Sequence, residues 1–73
     1  MTDRNSAVAW LRYTAHDMWE AAELAWVNAA SARRLGYPDA EVAMFRTWAA
    51  MYDSAYLECC ALSRVMASNP LRV

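Results

Sequence analysis

Apolar residues in the first half of the chain recur at strict steps of three and four: Val8, Leu11, Ala15, Met18, Ala22, Ala25, Ala29 and Ala32. That spacing puts all eight on one side of an α-helix, with no polar residue among them. Further on, Phe45, Trp48, Tyr52, Ala55, Cys59, Leu62 and Met66 repeat the same steps. The pattern therefore predicts two long helices, each with a narrow apolar seam. The first seam is mostly alanine and allows a facing helix to come close. The second carries volume, and Phe45, Trp48, Tyr52 and Leu62 are expected to fill against the alanines.

Punctuation residues set the ends. Asn5 or Ser6 is the expected N-cap of the first helix, because a short side-chain oxygen can accept from a free amide of the first turn. Arg33 and Arg34 suit the negative end of the helix dipole. Gly36, the sole glycine, follows the last periodic residue as a left-handed C′ residue would. Pro38 forbids continuation, and Asp39 and Glu41 suit the first turn of a second helix. That helix is expected to stop at Ser68-Asn69-Pro70, since the residue before a proline avoids helical geometry, leaving Leu71–Val73 as a short tail. The expectation is an all-α, antiparallel two-helix hairpin occupying 1–73 as one domain: helix about 6–35, turn 36–38, helix about 39–67. With so short a turn, position i should stand beside roughly position 73 − i.

Pairing the two seams leaves much apolar surface uncovered. Trp19 and Trp26 lie beside the first seam, and Trp10, Leu24 and Val27 further round it. Met44, Met51 and Val65 flank one side of the second seam, with Val42, Ala49 and Tyr56 on the other. This arc is wider than one partner helix covers. A second copy of the chain would supply the missing cover, so the hairpin is expected to dimerise into a four-helix bundle. Trp19, Met51, Tyr56 and Val65 are the expected dimer contacts.

Composition strengthens this picture. Of 73 residues, 59% are apolar, but 16 of them are alanine, so the bulk comes from four Trp, four Tyr, one Phe and five Met. A chain this short has little interior in which to hide nine aromatics, and Trp, Tyr and Met are enriched at the buried centres of protein interfaces. Trp10, Tyr13, Trp26, Tyr37 and Met44 are the candidates for contact with a different, larger protein.

Charge and chemistry mainly exclude. The net charge is −1, from seven arginines and eight acids, which offers no field to draw in nucleic acid. The acids Asp17, Glu20, Glu23, Asp53 and Glu58 fall near mid-length, while Arg4, Arg12, Arg64 and Arg72 gather at the open end and Arg33, Arg34 and Arg46 near the turn. His16, Asp17, Glu20 and Glu23 imitate a metal cluster, but a carboxylate-bridged di-metal bundle wants Glu-x-x-His and this chain runs His-Asp-Met-Trp-Glu-Ala-Ala-Glu. No metal or other cofactor is expected. Cys59 and Cys60 are adjacent, cannot form an unstrained bridge on a helix, and agree with a reducing compartment. Asp17, Glu20 and Glu23 interrupt the first apolar stretch, so no signal peptide or membrane span is expected and the chain is read as cytoplasmic.

With no phosphate loop, zinc spacing or Ser-His-Asp set, the function expected is not enzymatic. The reading is a small regulator or inhibitor, of the phage or mobile-element kind, that binds and blocks a larger protein. The alternatives are a structural homo-oligomeric assembly subunit and a dimeric nucleic-acid-binding hairpin using end arginines and stacked aromatics.

Overall fold

Two α-helices packed side by side make up the computed structural model, which describes residues 4–68: α1, Arg4–Arg34, and α2, Asp39–Ser68. The chain is already helical at Arg4, the first described residue, so Asn5 and Ser6 lie within α1 and not at its cap. The expected tail, with Asn69 and Pro70, falls outside the described residues. The hairpin is a rod, 58 × 17 × 14 Å.

The bend is built as its residues dictate. The Tyr37 amide donates to the Ala32 carbonyl (2.9 Å) and the Gly36 amide to the Arg33 carbonyl (3.2 Å), the paired bonds of a Schellman motif. Gly36 stands at φ +79°, where a side chain crowds the following carbonyl. The Pro38 carbonyl then accepts from Glu41 (2.9 Å) and Val42 (3.1 Å), opening α2. A β-carbon at Gly36 would meet nothing within 4 Å, so its cost is backbone strain alone. Gly36→Ala should therefore destabilise the hairpin by about 1–2 kcal/mol, read as a lower denaturation midpoint in urea followed by circular dichroism.

The seam of α1 is the one its spacing predicts: Val8, Leu11, Ala15, Ala22, Ala25, Ala29 and Ala32 are buried and Met18 is half-buried. The seam of α2 is not. Val42, Ala49 and Ser63 are its buried residues, while Trp48, Tyr52 and Leu62 are exposed. The helix is turned about 50° from the expected phase, half of one residue step. Small side chains explain the turn. An alanine seam gains most contact when the opposing backbone comes close, and only small residues such as Ala49 and Ser63 fit between close backbones. Phe45, Trp48 and Tyr52 are displaced to one shoulder, where Phe45 and Trp48 meet edge to face at 5.7 Å. The buried Ser63 hydroxyl donates to the Cys60 carbonyl one turn back (2.9 Å), so it costs little.

The lengthwise register agrees with the short turn. Ala21 shares a groove with Tyr52, and Asn28 with Phe45, pairs whose numbers total 73. Across the helices, Trp26 Nε1–H donates to Asp53 Oδ2 (2.9 Å). Side chains tilt toward the N-terminus of their own helix, so in an antiparallel pair these two lean toward each other.

Candidate interaction surface

Because neighbours on a helix recur three, four and seven residues away, the turned phase of α2 sorts the remaining side chains into two unlike faces, one on each side of the seam. On the first, a groove of about 210 Å³ is lined by Ala21, Leu24, Ala25, Asn28, Phe45, Trp48 and Tyr52. Trp10 lies fourteen residues before Leu24, Met44 four before Trp48, Met51 three after it, and Leu62 and Val65 fourteen after Trp48 and Met51. All belong to this face. Eight large apolar side chains, Trp10, Leu24, Met44, Trp48, Met51, Tyr52, Leu62 and Val65, stand 39–65% exposed there. About 45 Å of helix by 17 Å of width gives an area near the ~800 Å² that each partner contributes to a standard interface.

The second face mixes rings with charge. Its groove, about 270 Å³, is lined by Arg12, Ala15, His16, Trp19, Tyr56, Cys60 and Ser63. His16 stacks on Trp19 (6.1 Å between centroids, 24° between planes) and its Nε2 meets Glu20 Oε1 at 2.7 Å, with both side chains open to solvent. Trp26 is held by Asp53. Arg33 is seven residues from Trp26, Arg46 seven from Asp53 and Arg64 four from Cys60, so these arginines share this side.

The acidity of Tyr56 is displaced. A hydrogen bond with Cys60, repulsion from its thiolate and desolvation hold the phenol above its ordinary value, with Arg64 pulling the other way. Raised in the folded state, the group lends stability that is complete below the unfolded value of about 10 and is lost as pH climbs through the folded one. Tyr56→Phe should therefore flatten the alkaline loss of stability, measured as urea midpoints between about pH 8 and 11.

The expected contact residues are dispersed by this geometry. Met51 and Val65, read as dimer contacts, share the first face with Trp10 and Met44, read as contacts for another protein. Trp19 and the half-buried Tyr56 lie with Trp26 on the second face. Tyr13 points away from the seam, exposed, and Tyr37 sits in the bend. Trp48 and Leu62, placed by the sequence pattern in the core, join the first face; Ala49, wholly buried beside Trp48, is the signal that reveals it. Among the described residues no three His, Cys, Asp or Glu side chains are grouped to hold a metal ion, both cysteines are free and half-buried, and no helix is long and apolar enough to cross a membrane. No protein-family model, curated protein or solved structure matches the chain.

Proposed function

We propose that the chain is a non-enzymatic interaction module, a small cytoplasmic regulator or inhibitor that acts by laying its wide apolar face on a larger protein. The observation that carries this reading is the placement of eight large, exposed apolar side chains on one side of the hairpin, since large apolar side chains collected on one exposed face mark a site of association. The opposite face, with its arginines and bonded polar groups, is the one suited to water.

A second reading has an observation of its own. No large side chain is fully buried among the described residues, so the hairpin's own core is thin and gains from any cover. A second copy is always available, and two hairpins joined by their apolar faces would form a four-helix bundle. Light scattering over a hundredfold range of concentration separates the two. A mass near 8.3 kDa at micromolar concentration, with the helical signal intact, supports the docking reading. Twice that mass, with Trp10 and Trp48 shielded from a soluble quencher, assigns the face to self-association.

A further inference from the structure

We infer that the partner of the apolar face is an amphipathic helix of another protein whose apolar stripe is bordered by Lys and Arg, and not a second copy of this hairpin. The inference rests on the docking reading above and adds the chemistry of the partner. Shape comes first. The valley between α1 and α2 on this face has a floor of alanines, Ala21 and Ala25, under walls of Leu24, Phe45, Trp48 and Tyr52. A low floor between bulky shoulders accepts the ridge of one more helix, whose diameter with side chains is about 10 Å, within a rod 17 Å across.

Charge then selects the occupant. Asp17 is seven residues from both Trp10 and Leu24, Glu58 seven from both Met51 and Val65, and Glu41 seven before Trp48, so three exposed carboxylates stand in the outer rows of this face. Arg12 lines the other groove and Arg33, Arg46 and Arg64 share its side. Of the described arginine side chains, only that of Arg34 therefore reaches toward the apolar face, at its bend end, where its Nη2 donates to Ser31 Oγ (3.3 Å); carboxylates outnumber it there three to one. Asp17 and Glu58 stand at nearly the same level on opposite rims of the valley, and a helix lying in it passes between them. A second copy offering the same face would bring three more carboxylates against a single arginine at its bend end. Like charges at an interface discourage the wrong partner, whereas complementary rims speed encounter and fix register.

The test uses two designed amphipathic helical peptides with the same Leu/Ala stripe, one flanked by Lys and Arg and its twin flanked by Glu, titrated into the full chain while tryptophan emission is followed. The Lys/Arg peptide should bind at least about tenfold more tightly in low salt, with the gap closing as salt screens the rims. The triple variant Asp17→Asn, Glu41→Gln, Glu58→Gln should bind both peptides alike. Equal binding of the twins to the unmodified chain would overturn the charge argument while leaving the docking reading in place. Binding of neither would overturn a helical partner. A stable dimer that shields Trp48 would overturn both the inference and the docking reading in favour of a second copy.

Discussion

Replacing Ala49 with leucine should lower the stability of the hairpin by about 1–3 kcal/mol, while Ala50→Leu, one position along, should change it by less than about 0.5 kcal/mol. Ala49 has no exposed surface at all, and it faces a seam of alanines that leaves no room for a branched side chain. Leucine there must push the backbones apart, and every small contact along the seam weakens together. Ala50 is exposed, so the same change meets only water. For a domain of this size each kcal/mol is worth about 4–8 °C in melting temperature, which makes the contrast plain in a thermal scan. The neighbouring Trp48→Ala variant completes the comparison. If the loss at Trp48 exceeded the loss from Ala49→Leu, the bulky stripe would be the true seam and the observed phase of α2 would be wrong.

The triple variant Trp48→Gln, Met51→Gln, Leu62→Gln should do the reverse, keeping its helical signal while losing association. All three residues are 45–63% exposed, so their removal leaves the alanine seam intact. An aromatic anchor at an interface centre is commonly worth about 2 kcal/mol or more, and two further apolar contacts should bring the loss to at least about a hundredfold in affinity. The measurement is titration with the Lys/Arg-flanked peptide, or with any captured partner, beside Trp19→Gln on the opposite face as a control. Unchanged affinity in the triple variant, or an equal loss from the control, would remove the apolar face from the argument.

The contrast between the two helices shows how far a single sequence can be read. The alanine run of α1 has no rival stripe, so its seam was legible in full, and Gly36 and Pro38 marked the bend because each has a backbone preference no neighbour shares. α2 carries two interleaved stripes with Phe45, Tyr52, Cys59 and Met66 in common. One adds Trp48, Ala55 and Leu62; the other adds Val42, Ala49, Tyr56 and Ser63. Hydrophobicity ranks the first higher. What decides for the second is the smallness of the facing residues, a property of the pair that neither helix displays alone. The error then spreads to the surface: with α2 half a step out of phase, Met51 and Val65 are sorted with Trp19 and Tyr56, and the acidic border of the apolar face stays hidden behind a grouping of charges along the rod's length.

The alanine seam also has a mechanical side. From Ala22 to Ala32 the small, uniform teeth give two rods little grip against lengthwise slippage, because moving one turn along that row presents nearly the same profile. The tight bend at one end and the indole of Trp26 hooked on the Asp53 carboxylate at mid-length add to the larger buried side chains Val8, Leu11 and Val42 in holding the rods in step. Cutting that hook would therefore show first as sliding between neighbouring alignments, with both rods still wound, before any unwinding begins.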